Sequence, residues 1–440
     1  MNNSFLTGLS KFLALGLGVV LLLSGCGKKE ESSAQDDAIV ITCGMVAQEH
    51  EACKKGVELW QAKTGKKVKV LPAPNGSNER LTLFQQHLAA GSSDIDIYQV
   101  DVVWPGVLVN HLEDLSPYLT AERRAKYIPS LLNNNKVEGK LVALPWFANV
   151  GILYYRKDLL EKYHLPVPQT WDDIEQMSKK IIEGEKKAGD DKLWGYVFQG
   201  KAYEGLTCNA IEWISSFKNG GTIVEKNGHV SVNNPDAIKI LDQIAAWVGT
   251  ISPQGVLNYE QEDCRGVFQL GQAIFMRNWP YAWHPLNSSD SAVSGKVGIT
   301  LLPKGGKDGK SSGTIGGWNL AVSKYSKKKA DAIDLVLFLT DEPELKRRAI
   351  ESGYFPPMHT LFKDPQVLAI NPLMKIMLPV MTTATPRPSA QTGSKYSQVS
   401  SVFWNGVYST LSKQGSAEEN LKEVQEKLNL ISQNGTKWYR

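Results

Sequence analysis

The chain has 440 residues, of which 42% are hydrophobic and 21% charged, with 38 Gly and 21 Pro. This balance excludes collagen-like, coiled-coil and wholly disordered classes, and the length predicts two or three folding units. The 49 Lys and Arg against 45 Asp and Glu leave a net charge of +4, too small at this length to demand a nucleic acid or another polyanion.

In chain order, the first signal is the apolar run Phe12–Leu23, preceded by Lys11. It is too short to span a bilayer as a helix and has the length of a signal-peptide core. It leads into Leu23-Ser24-Gly25-Cys26, which resembles a bacterial lipobox, so residues 1–25 are expected to be a lipoprotein signal peptide and Cys26 the acylated first residue. Residues 26–37 are charged, lack large apolar side chains and read as a flexible tether.

Strands are predicted at 39–42, 68–71, 95–100 and 141–144, with helices over 48–64 and 79–90 between the first three. A strand at 152–155 opens a second block, in which Thr170-Trp-Asp-Asp173 has the form of a helix-opening capping box. Further helices are expected over about 203–217, 235–248, 260–270, 330–339 and 417–431, with strands at 273–276 and 297–301. Alternation of this kind implies a mainly parallel sheet flanked by helices, with ligands gathering at the carboxyl ends of its strands. Asp101, Trp104 and Pro145–Asn149 are expected at such ends.

Apart from Cys26 the cysteines are Cys43, Cys53, Cys208 and Cys264. Export permits disulfides. Cys43, after a strand, and Cys53, in the next helix, are the pair best placed to bridge, with free buried thiols as the open alternative. The seven His show no HxxxH or HExxH spacing and there is no CxxC, so no metal site is expected.

Catalytic motifs are scarce. Gly305–Ser311 is one residue short of a phosphate loop and reads as a surface turn; there is no GxSxG elbow and no kinase set. Glu49, Asp101 and Glu204 are carboxylates that a glycosidase would need as a pair, but their separation is not legible in sequence. What recurs instead is a ring beside a charged or amide group: Asp101-Val-Val-Trp104, Pro145-Trp-Phe-Ala-Asn149, Tyr203-Glu204-Gly205, Arg277-Asn-Trp-Pro-Tyr-Ala-Trp283, Gly316-Gly-Trp318 and Pro386-Arg-Pro388. The chain also holds 12 Trp. A sugar presents a C–H face that stacks on such rings and hydroxyls that must be paired when buried, an unpaired one costing about 1–3 kcal/mol. These clusters hold both kinds of partner.

Ser93-Asp-Ile-Asp-Ile-Tyr98, Tyr154-Tyr-Arg-Lys-Asp-Leu-Leu160 with Thr170-Trp171, Gly316-Gly-Trp318 and the lipobox resemble the extracellular solute-binding proteins of carbohydrate ABC importers. Trp194–Leu206, Arg277–Trp283, Lys296-Val-Gly298 and Pro386-Arg-Pro388 resemble in particular the trehalose/maltose-binding lipoproteins. The resemblance implies an α/β fold of two lobes, the type II periplasmic binding protein fold, each lobe a mainly parallel sheet flanked by helices. It divides the chain into 38–148 with 317–361, and 149–316 with 362–440, with hinges near Ala148, Thr314 and Thr360. It further implies that Glu49 (with Glu51 a neighbour in near register), Arg80, Asp101, Tyr203, Trp279, Tyr281, Gly316, Gly317, Trp318 and Arg387 contact the ligand. Phe147 and Asn149 stand where disaccharide-binding relatives carry Tyr and Asp, which bears on which sugar is taken. The implied activity is binding without catalysis, with no cofactor. A monomer anchored through Cys26 takes trehalose, maltose or a related α-glucoside and delivers it to permease subunits served by a separate ATPase. A secreted glycoside hydrolase and a surface adhesion lipoprotein are the alternatives from other classes.

Overall fold

A computed structural model describes residues 37–44, 47–74, 76–370, 374, 377, 378, 381, 384–434 and 438. The expected signal peptide, Cys26 and the tether, Asp37 apart, lie outside the described residues. Strands β1 (Ile39–Thr42), β2 (Val68–Leu71) and β3 (Ile97–Asp101) pair in parallel, linked by helices Ala47–Thr64 and Ser77–Ala89. Every residue of β3 is buried, as a central strand covered on both faces requires. A small hairpin of β4 (Lys136–Val137) and β5 (Lys140–Leu141) precedes β6 (Leu144–Val150).

The second block contains β7 (Ile152–Arg156), β8 (Trp194–Val197), β9 (Ala273–Asn278) and β10 (Val297–Thr300), after which β11 (Ile315–Val322) returns to the first. The strand orders are β2-β1-β3-β11-β6 and β10-β7-β9-β8.

Both sheets are mixed, and this corrects the expectation of mainly parallel ones. β11 runs antiparallel to β3 and to β6. In the second sheet β7 is antiparallel to both β9 and β10, and only β8 and β9 run parallel. The regular strand–helix alternation holds for the first hundred residues; β11 is inserted from two hundred residues downstream, and local patterning carries no sign of that pairing. The expected strand at 141–144 is also displaced. Pro145–Asn149 lies within β6, not beyond a strand end. Pro145 is tolerated because β6 is the edge of its sheet, where a missing N–H leaves no partner unsatisfied.

Other local expectations hold. Asp173 N–H donates to Thr170 Oγ1 at 3.1 Å and Thr170 N–H to Asp173 Oδ2 at 2.9 Å, closing the capping box on helix Trp171–Lys187. Cys43 and Cys53 form a disulfide, while Cys208 and Cys264 are free and buried. Helices Glu342–Ser352 and Tyr396–Leu411 were not anticipated.

Three apolar cores follow from this layout. One lies around the first sheet, with Ile41, Phe84, Ile97, Val100 and Leu320 fully buried. A second lies around the other sheet and takes in Phe403, Val407, Leu421 and Leu428 from the last two helices. The third, with Val150, Ile152, Met276, Phe355 and Met377, sits where β6 passes into β7 and so joins the two sheets. Burying each such side chain contributes roughly 1.5–3 kcal/mol.

Candidate functional site

Between the sheets lies a cleft of about 730 Å³, counted out to its open mouth and within the range of small-molecule sites. Its first wall is one row of the first sheet. Trp318 on β11 pairs directly with Asp101 on β3 and with Phe147 on β6, and Gly316 pairs with Asn149. Directly paired residues share a face, and Phe147 and Asn149, two apart on one strand, share it too. Register therefore brings together five residues that are far apart in sequence. Gly317, at φ +136°, must be glycine: a Cβ there would lie 2.5 Å from the Phe147 carbonyl oxygen. At Gly316 a Cβ would lie 2.9 Å from the Trp279 ring, so its absence lets that indole reach the strand.

Glu49 lies in the first turn of its helix, just after the Cys43–Cys53 bridge begins, and accepts from Gln99 Nε2 at 2.5 Å. It lines the cleft. Arg80 does not: it is fully buried behind Trp318, its guanidinium 4.7 Å from that ring. Its Nε and Nη2 donate to the Pro74 carbonyl, and burial pulls its pKa down to about 10, against the raising effect of Glu49 and Asp101. The expectation of a direct contact from Arg80 is thus corrected to support of the Trp318 plate.

The second wall is made from strand ends and loops. Trp279 follows β9 and rests on the guanidinium of Arg277, 4.0 Å from its ring. Arg277 is itself clamped by Glu212, with both side chains fully buried, and donates to Gln199. Tyr281 donates to Glu262 at 2.5 Å, and Tyr203 to Gln261 at 3.0 Å.

Arg387 joins the walls. Its Nη2 donates to Asp101 Oδ1 at 2.8 Å and its Nη1 to Glu204 Oε1 at 2.7 Å, and all three residues are buried. Glu204 also accepts from Tyr396 and from Ser400 at 2.7 Å. Burial raises the Glu204 carboxyl despite the opposing pull of Arg387. Burial works against the Arg387 charge, but Asp101, Cys208, Tyr396 and Glu204 together hold its pKa well above the ordinary arginine value. One guanidinium thus ties two carboxylates together within the wall, and the hydroxyls of a neutral guest can pair with the acceptor positions left over.

Eleven of the twelve expected ligand contacts line this one cleft, Arg80 being the exception. Ser77, Cys208, Gln261 and Tyr354 also line the cleft and were not expected there, while Glu204 and Gly205 were singled out only as part of a cluster with Tyr203. Cys208 lies one helical turn after Glu204, so the helix period could have exposed it; Gln261 and Tyr354 carry no local signal. Among the described residues no group of three or more His, Cys, Asp or Glu is arranged to hold a metal ion, and no helix is long and apolar enough to cross a membrane.

The chain matches the family of bacterial extracellular solute-binding proteins over residues 47–345. It is 46% identical over 407 residues to a probable ABC transporter-binding protein of Deinococcus radiodurans, covering 92% of this chain and 96% of that one. It is 22% identical over 434 residues to the maltodextrin-binding protein MdxE of Bacillus subtilis, covering 95% and 96% respectively. Among solved structures, maltose-bound MalE3 of T. maritima superposes with a TM-score of 0.83 at 36% identity, covering 90% of this chain and 99% of that one. The chain therefore belongs to the bacterial extracellular solute-binding proteins, has their two-lobed type II α/β fold, and is the solute-binding component of an ABC transporter.

Proposed function

We propose that the cleft captures a neutral α-glucoside of disaccharide size, with maltose and trehalose as the first candidates, and holds it without chemical change. The observation that carries this reading is the pairing of stacking plates with an ion-paired polar network. Trp279, Trp318, Tyr281 and Phe147 offer apolar faces, while Asp101, Glu49, Glu204, Asn149 and Arg387 offer donors and acceptors around them. Asp101 spends Oδ1 on Arg387 and on Val103 N–H. Its Oδ2 has no donor among the described residues and is available to a sugar hydroxyl. The maltose carried by the T. maritima neighbour supports the same class of guest.

The lobes in this reading are 38–148 with 317–361, and 149–316 with 362–440, turning about Ala148, Thr314 and Thr360. A solute touching both lobes favours the closed form by its differential affinity for it. The closed, loaded monomer then docks on the permease, while a lipid on Cys26 keeps it at the membrane surface. A solute that binds only the folded protein raises its apparent stability. Calorimetry and thermal melting with maltose and trehalose test the reading: saturable binding with a raised melting temperature is expected, and silence across both sugars and a wider saccharide panel would refute it. Product formation from these sugars would favour a hydrolase instead.

A further inference from the structure

Tyr354 lines the cleft yet is only 5% exposed, and its hydroxyl has no hydrogen-bond partner among the described residues. The position is rigid from both sides. Gly353, at φ +70°, ends helix Glu342–Ser352 with its N–H on the Ala349 carbonyl. On the other side Phe355 bridges to Ala148, whose N–H donates to the Phe355 carbonyl at 2.9 Å. The ring packs on Phe147 with centroids 4.7 Å apart, and the Arg348 guanidinium lies 4.9 Å from its centre. Arg348 is itself buried, stacked 3.6 Å from the Trp146 ring, and none of its three guanidinium nitrogens has a hydrogen-bond partner among the described residues.

A buried phenol without a partner is costly, and here it cannot swing into water. A neutral apolar ring would satisfy the packing equally well. Phe147, its neighbour on the wall, has no polar atom to supply. Burial pushes the Tyr354 phenol pKa well up, and Glu49 adds to it, so the hydroxyl keeps its proton and can donate as well as accept. A phenol both donates and accepts, as does a sugar hydroxyl.

We propose that Tyr354 is a specificity-determining contact of this cleft, its orphaned hydroxyl reading one hydroxyl of the bound saccharide at the end formed with Phe147 and Glu49, while Arg348 positions the ring by stacking on it. This inference rests on the saccharide reading above and adds to it a residue and a subsite. Once the ligand is bound, the phenol and the ligand hydroxyl pair with each other, and a ligand lacking that hydroxyl leaves the phenol stranded.

The test is calorimetry on the purified protein and on its Tyr354→Phe variant, with maltose, trehalose and their monodeoxy analogues. The variant is expected to bind the preferred sugar about tenfold more weakly, with the melting temperature of the ligand-free protein unchanged or raised. One monodeoxy analogue is expected to bind the parent protein about tenfold more weakly than the full sugar, yet to bind the variant no worse than the full sugar does. Equal affinity of parent and variant for a sugar that does bind would overturn the proposal and leave the saccharide reading standing. A lower melting temperature in the ligand-free variant would overturn it as well, by making the hydroxyl structural. No binding of any of these sugars to the parent protein would remove both.

Discussion

On the first sheet, Asp101, Trp318 and Phe147 occupy directly paired positions on three neighbouring strands. On the second, Tyr203, Glu204, Trp279 and Tyr281 follow strand ends or open a helix and are held by bonds between side chains. The first wall is set by backbone register, so its residues cannot move without breaking the sheet. The second is set by polar networks: Arg277 with Glu212 behind Trp279, and Glu262 behind Tyr281. Changes to the first wall should therefore cost fold and affinity together, and changes to the second chiefly affinity.

The largest expected effect is at Gly317. Gly317→Val forces a branched side chain into a positive-φ position against the Phe147 carbonyl, and should destabilise the protein by about 3 kcal/mol or more in denaturant unfolding. A near-neutral result would show that the β6–β11 register is not what holds the first wall. Next comes Trp279→Ala, which removes a plate from the second wall. It should weaken sugar binding by at least about 2 kcal/mol, roughly thirtyfold, with little change in melting temperature of the free protein. Comparable losses of stability and affinity would erase the contrast between the walls.

Asp101→Asn sharpens the comparison, because Asp101 stands on the first wall but ties to the second through Arg387. Affinity should fall by about 1.5–3 kcal/mol, the worth of a charged hydrogen bond, in a calorimetric titration. A smaller loss would mean that Asp101 serves only the Val103 N–H and Arg387. The smallest effect is expected from Asn149→Asp, which adds a charge on the same row as Gly316 and should shift the maltose-to-trehalose preference more than the overall affinity. A selectivity panel on both forms measures it, and an unchanged ratio would place sugar choice elsewhere on the wall.

Much of the first wall's membership was legible, though not its construction. Asp101 follows a strand-like run, and Gly316-Gly-Trp318 stood out as ring beside glycine. That Trp318 lies between Asp101 and Phe147 depends on β11 crossing back over two hundred residues, and no local period encodes such a pairing. Pro145–Asn149 was expected at a strand end, and it is the edge position of β6 that lets the strand run on through Pro145. On the second wall, Tyr203, Trp279 and Tyr281 were visible because their motifs are dense in rings and amides. Glu204 was harder, since its importance comes from Arg387, Tyr396 and Ser400, all from a distant segment. Tyr354 sits in a Gly-Tyr-Phe-Pro-Pro stretch that reads as irregular chain, and its orphaned hydroxyl exists only in three dimensions.

The central claim, that the two walls close together on a hydroxyl-rich solute, is tested most directly by small-angle scattering during titration with maltose and trehalose. The account predicts a saturable decrease in radius of gyration with at least one of the two. A profile unchanged at saturating concentrations of both, in a protein that binds them, would contradict closure on the guest.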